Sequence, residues 1–288
     1  MNRLIRGVAV ALAAWTAGAT GIDALASDKT VSDAVIAGQR AALAESTAGK
    51  GFGPQAPRDI AIAGGANNRL FKAAPPYRFM NLCNIHFHEG AEHKGGEFTT
   101  YAGNGDGKGY GSGYLYNGKL TKAELVPLNY KVGQSKHGDL QPGDTIEVHY
   151  VHTTAMVKPG PTLGSCLSEA IKNPQLRVEA QVYVLVNDDR AADFMNLTAM
   201  AIVKGFHQAV NIPTDTGTPI KYAGSTTGPG YSEKGSPFQV SWSVRPKVKK
   251  VSILSVAKWL KNNPFDEDHA HGVRNLVTKS ELLSTIEQ

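Results

Sequence analysis

Short strand-like runs dominate the chain. The short runs rich in β-branched, aromatic and other apolar residues over Met80–Phe87, Thr145–His152, Val178–Val186 and Phe238–Val244 predict strands. Ser32–Ser46 instead spaces its apolar residues helically, which predicts an amphipathic helix with Ser32 at its N-cap. Lys250–Leu260 and Thr278–Ile286 read as helical pieces near the C-terminus. Glycine and proline break the pattern between the first helix and Pro57, and glycine-rich turns, notably Ala102–Tyr114, separate the strands. There is no internal repeat and no clean linker. The pattern describes one mostly-β domain with peripheral helices.

The N-terminus does not belong to that domain. Arg3 and Arg6 precede an uncharged run of small and apolar residues, Gly7–Gly21, and Ala24-Leu25-Ala26 offers a small-x-small cleavage site before Ser27. Residues 1–26 therefore read as a secretory signal peptide and 27–288 as an exported mature domain, periplasmic or secreted. The run is shorter than the roughly 20 residues of a membrane-spanning helix; an uncleaved anchor is the alternative. Export changes the meaning of the two cysteines. In an oxidising compartment Cys83 and Cys166 are expected to pair, with two free buried thiols as the other outcome. No CxxC spacing suggests a cysteine metal site.

Composition narrows the class without naming a chemistry. With 41% hydrophobic and 19% charged residues, 31 glycines and 15 prolines, the 288-residue chain is no coiled coil, collagen-like rod, polytopic membrane protein or disordered polymer. Thirty basic against 25 acidic residues give a net charge of +5, too balanced to call for a nucleic-acid partner. The glycine-rich stretch Tyr101–Tyr116 lacks the Gly-Lys-Ser/Thr ending of a phosphate loop.

The histidines carry the candidate chemistry. In Asn84-Ile85-His86-Phe87-His88-Glu89-Gly90-Ala91-Glu92-His93, residues two apart on a strand share a face, so His86 and His88 project together. In Glu147-Val148-His149-Tyr150-Val151-His152, Glu147 and His149 share a face and His152 points the other way. Three histidines plus a water satisfy a catalytic zinc, and His86, His88 and His149 supply that set if the two strands are neighbours. Glu147 and Asn84 are placed to accept the second N–H of a ligating ring. His207, His269 and His271 have no such companions and read as surface or core residues; His137 sits in a polar turn.

These residues resemble the zinc site of alpha-class carbonic anhydrases. Gly224-Ser225-Thr226-Thr227-Gly228-Pro229 and Phe238-Gln239-Val240-Ser241-Trp242-Ser243-Val244 continue the match in the same order. The compact His-rich segment, the cysteine before it and the form of the 224–229 loop are closer to the delta-class, carbonic-anhydrase-like family. The resemblance runs over positions 84 to 244. It implies a single domain built on a central, largely antiparallel twisted sheet, and zinc-dependent reversible hydration of carbon dioxide to bicarbonate and a proton by zinc-bound hydroxide. One Zn2+ per chain would be held by His86, His88 and His149, with cobalt or cadmium able to substitute. Asn84 and Glu147 would orient the rings, and Thr226 would pass a hydrogen bond from the hydroxide to Glu92, with Thr227 its alternative by a one-residue slip. Val151, Val182, Val240 and Trp242 would line the carbon dioxide pocket with Thr227. The partner is a small molecule, with no nucleic acid and no membrane span after signal cleavage. No histidine precedes His86, so the alpha-class proton shuttle has no counterpart by position.

Two other readings fit parts of the pattern. His86-x-His88 followed by Glu92 is also the spacing of a cupin metal motif, faintly echoed by Leu140–Asp144 and His149, with Glu92 a direct ligand to iron, manganese or nickel. A non-catalytic exported binding protein that keeps the fold is the third.

Overall fold

The computed structural model describes residues 30–286 apart from 63, 70, 228 and 229; the segment 1–26 read as a signal peptide lies outside the described residues. Helix α1 (Asp33–Thr47) forms where the helical spacing predicts it. Ser32 holds the N-cap position with extended backbone, but its side chain makes no capping hydrogen bond. The helix buries Ile36 and Leu43 against Leu276, Val277, Leu282 and Leu283 of the C-terminal tail.

Strand β1 (Asn81–Glu89) is followed by the paired β2 (Phe98–Tyr101) and β3 (Tyr114–Tyr116), then by β4 (Val132–Ser135) and β5 (Gly138–Leu140). Next come β6 (Thr145–Thr153), β7 (Leu176–Val186), the short helix α2 (Phe194–Leu197) and the hairpin β8 (Met200–Val203) and β9 (Phe206–Ala209). Strands β10 (Ile220–Ser225), β11 (Gln239–Val244) and β12 (Lys249–Ser252) lead into helix α3 (Ile253–Lys261). The central sheet runs β1-β6-β7-β11-β10, with β12 also on β7. All four predicted strands lie in it.

The sheet is mixed. β1–β6, β6–β7 and β10–β11 are antiparallel, whereas β11 and β12 both pair in parallel with β7. β11 takes Leu176–Ala180 and β12 takes Tyr183–Val186, so two short strands share one edge of β7. This corrects the C-terminal reading. Lys249–Ser252 is a strand, and the helix begins only at Ile253, because a free edge of β7 offers the backbone partners that local periodicity cannot reveal. Thr278–Ile286 is not a helix either. It holds a single 3-10 turn, Ser280–Leu282, while the Ser280, Leu282 and Leu283 carbonyls accept from Ala66, Gln55 and Asn67.

The two faces of the sheet do different work. Ile85, Phe87, Ile146, Val148, Tyr150, Tyr183 and Leu185 point to one side and pack with Phe194, Trp259 and Phe265. On the other side Val151, Val178, Val182, Val240 and Trp242 form a second core. The histidine-bearing positions share that second face. Cys83 and Cys166 form a disulfide that ties the start of β1 to the 3-10 turn Leu163–Cys166. No helix among the described residues is long and apolar enough to cross a membrane.

A candidate metal centre on β1 and β6

The antiparallel register sets His86 directly opposite His149 and His88 opposite Glu147. The two histidine strands are therefore neighbours, as a three-histidine group requires. His86, His88 and His149 each offer a nitrogen within 4.8 Å of the others.

Which nitrogens face inward follows from what the others touch. Asn84 Nδ2 donates to the Gly160 carbonyl at 3.0 Å, leaving its Oδ1 to accept from His86 Nδ1 at 2.6 Å. His88 Nδ1 donates to the Gly272 carbonyl at 2.8 Å, and His149 Nε2 to Glu147 Oε1 at 2.9 Å. These oxygens only accept, so the facing nitrogens carry the protons. The lone pairs left over are on His86 Nε2, His88 Nε2 and His149 Nδ1. His86 Nε2 and His149 Nδ1 lie 3.2 Å apart. A tetrahedral centre with zinc–nitrogen bonds of about 2.0–2.1 Å separates its nitrogens by about 3.3 Å. Burial, helped by the neighbouring rings, pushes His86 well below its ordinary pKa; burial also brings His88 down to about 4. Both are thus neutral imidazoles at pH 7, the form that ligates.

Glu147 is fully buried and doubly engaged. Its Oε1 also accepts from His93 Nδ1 at 2.6 Å, and its Oε2 from the His93 backbone N–H at 3.1 Å. The Tyr222 hydroxyl closes this chain on His93 Nε2. Burial alone would raise the Glu147 carboxyl, but the donors from His93 and His149 outweigh it and hold the group ionised. Gly90, with φ +80°, makes the turn that brings Glu92 and His93 back over the sheet; a Cβ there would run into the Ser112 carbonyl.

The lone pairs open into a cavity of about 310 Å³. Trp242, Ala56, Pro57, Pro161 and Leu163 supply an apolar wall, and Thr226 and Thr227 both line it. The Thr226 backbone is held by Phe238 and Ser236, but among the described residues no hydrogen bond links its hydroxyl to Glu92. Glu92 lies 3.8 Å from His88 Nδ1 and 3.9 Å from His149 Nε2, the nitrogens that face away from the centre. Val151, Val182 and Val240 share the sheet face with the histidines, yet they are not among the cavity's lining residues. They are sealed in the second core with Ala56, Ile60 and Phe98.

The tail supplies a wall that sequence reasoning missed. His271 pairs with β1 through Phe87 and Glu89, and its ring sits 5.6 Å from that of His86 and 5.9 Å from that of His88. Glu267 accepts from its Nε2 at 2.6 Å, and His269 stands beside it at the rim. The reading of His269 and His271 as surface or core residues is corrected: both line the cavity. Their own His-x-His spacing was the available signal, but it lies in a stretch without strand periodicity. His152 is buried on the opposite face as predicted, its Nδ1 donating to the Tyr150 carbonyl at 3.0 Å.

Just beyond the ligand pair, burial and the neighbouring Asp144 and Asp139 push the Glu89 carboxyl up to about 7. The folded state then binds more protons than the unfolded between about pH 4.5 and 7, so this group's contribution falls as pH rises through that window and its penalty is complete above 7. Glu89→Gln should therefore raise stability at pH 8 by roughly 1–3 kcal/mol and leave it unchanged near pH 4. Urea midpoints at the two pH values check this; an equal gain at both would refute the assignment.

A group of three converging imidazoles on a buried sheet is what a histidine-ligated metalloprotein needs. The chain belongs to the delta carbonic anhydrase family, whose model matches residues 77–255. That family implies a metal, typically zinc, and a small-molecule substrate. No curated protein matches. Among solved structures, the alpha-carbonic anhydrase of Thermovibrio ammonificans, in complex with the inhibitor sulfanilamide, is 19% identical over 78% of this chain and 84% of its own, with a TM-score of 0.27. The Photobacterium profundum alpha-carbonic anhydrase is 19% identical over 81% and 91%, with a TM-score of 0.29. At those scores the two likenesses add nothing to the family match.

Proposed function

We propose that the protein catalyses the zinc-dependent, reversible hydration of carbon dioxide to bicarbonate and a proton. The observation that carries this reading is the convergence of three unprotonated imidazole nitrogens, each ring locked through its other nitrogen, beside an apolar cavity wall. His86 Nε2, His88 Nε2 and His149 Nδ1 would hold the ion. A zinc ion bound so supplies a hydroxide nucleophile at neutral pH from water whose pKa it lowers to about 7, an effect for which carbonic anhydrases are the reference case.

The chain's own residues do the rest. Asn84 and Glu147 fix the tautomers of His86 and His149, and the Glu147 charge makes His149 a better donor. Trp242 and the loop residues Pro161 and Leu163 exclude water from one side, giving an uncharged substrate a dry seat. Thr226, whose hydroxyl has no partner among the described residues, lines the cavity and would accept a hydrogen bond from the nucleophile. His271 and His269, between the ligand rings and the rim, supply the polar wall along which the released proton leaves. The signal-peptide-like sequence of residues 1–26 and the Cys83–Cys166 disulfide together support the proposal that it acts outside the cytoplasm.

The cupin alternative is disfavoured by one contact. Glu92 approaches the ring nitrogens that face away from the centre, so it does not point where a fourth ligand would stand. Thr226→Ala should keep full metal content and lose about 10²–10³-fold in kcat, the scale of removing one oriented hydrogen bond to the reacting group. Metal analysis beside stopped-flow hydration checks this. If Thr227→Ala shows that loss and Thr226→Ala does not, the roles belong to the other threonine.

A further inference from the structure

A second cavity, of about 690 Å³, adjoins the first and shares His88, Glu92, Thr227, Asp268, His269 and Arg274 with it. Lys108, Lys136 and His137 are among the residues that line its remaining wall. Arg274, at the junction, is only 4% exposed. Its Nη2 donates to the Lys234 carbonyl at 3.1 Å, but its Nε and Nη1 are buried with no hydrogen-bond partner among the described residues. Glu92 offsets the charge through space, and burial still lowers the guanidinium's pKa. Glu92 accepts from the Arg274 backbone N–H at 3.5 Å and lies within 4 Å of His88 and His149, and among the described residues no ion pair joins it to the Arg274 guanidinium.

A buried guanidinium with two idle N–H groups is unfavourable unless something completes it. Nε–H and Nη1 lie on different edges of the planar guanidinium, so each would hydrogen-bond an oxyanion singly, or Nε–H would do so beside the second N–H of Nη2. Two lysines on the same cavity raise the local anion concentration, against Glu92 and Asp268 as the acids of that wall. We propose that Arg274, with Lys108 and Lys136, forms a binding site for a small inorganic oxyanion in this second cavity, distinct from the three-histidine centre. The site goes beyond the hydration reading and does not depend on it. Two sources share the chemistry: free phosphate, and bicarbonate, which under the hydration reading would be formed next door.

Calorimetric titration of the full chain at pH 8 and low salt, with inorganic phosphate and separately with bicarbonate, tests the site. At least one of the two should bind saturably at one site per chain. Arg274→Met should weaken that binding about tenfold or more, and the exposed pair Lys108→Gln/Lys136→Gln about threefold. His149→Ala should leave it in place, which separates it from anion binding at a metal. Saturation by phosphate alone identifies free phosphate as the source, and by bicarbonate alone the neighbouring product. Absence of saturable binding for both anions overturns the proposal. So does binding that both substitutions leave unchanged, or that His149→Ala removes. Should Arg274→Met fail to fold, the lysine pair decides. A failure of carbon dioxide hydration in zinc-loaded protein would overturn the proposed activity and leave this titration untouched.

Discussion

His149→Ala is expected to strip the protein of its metal, from about one zinc per chain to less than a tenth, and to abolish hydration with it. The ring faces His86 across the β1–β6 pair, with 3.2 Å between the two open nitrogens. Structural zinc sites are worth roughly 10–16 kcal/mol over four ligands, so losing one ligand weakens binding by about 10²–10³-fold. The change also removes one of the donors that keep the buried Glu147 carboxylate satisfied, leaving His93 to hold it alone. Glu147→Gln should sit between the extremes, with metal affinity lowered about 10–100-fold, because it loosens a ligand without deleting it. Metal content by elemental analysis after dialysis against a weak chelator separates the three proteins. Full zinc in His149→Ala, or equal metal loss in His149→Ala and Thr226→Ala, would refute the assigned roles.

Breaking the disulfide is expected to have the largest effect on stability. Cys83 and Cys166 are 83 residues apart, and closing a loop of that length restricts the unfolded chain by about 4–5 kcal/mol in the chain-entropy description. For a domain of this size that corresponds to a melting temperature lower by roughly 10–15 °C. The site should feel it as well. The Gly160 N–H donates to the Cys83 carbonyl, and the Gly160 carbonyl accepts from Asn84, which in turn orients His86. The same loop carries Pro161 and Leu163 of the apolar wall. Cys83→Ser/Cys166→Ser should therefore melt early and hold zinc less tightly. Thermal denaturation with and without reductant, beside the double variant, measures this. A melting temperature indifferent to both would contradict the staple.

The histidine-bearing strands were legible because their signal is local. His86, His88, Glu147 and His149 each declare their face by strand alternation, and the four predicted strands all take places in the central sheet. What joins strands was less legible. The parallel pairing of β11 and β12 on one edge of β7 depends on partners more than 50 residues away, so nothing local to Lys250–Ser252 distinguishes it from the helix that follows. The tail failed for the same reason. Thr278–Ile286 has its carbonyls engaged by 55–67, and His271 reaches the site by bridging to β1 across more than 180 residues. Val151, Val182 and Val240 show the converse limit. Alternation placed them on the right face, but only packing decides which residues of a face remain open, and Ala56, Ile60 and Phe98 close over theirs. Arg274 gave no sequence signal at all, since its interest lies in two guanidinium nitrogens without a partner among the described residues.

His86, His88 and His149 are proposed to hold a zinc ion that supports carbon dioxide hydration. Stopped-flow hydration with a pH indicator, on mature protein whose metal content is measured in the same sample, tests it most directly. About one zinc per chain is expected, with a hydration rate that rises with zinc occupancy and is suppressed by a sulfonamide or azide. Zinc-replete protein that hydrates carbon dioxide no faster than buffer would contradict it.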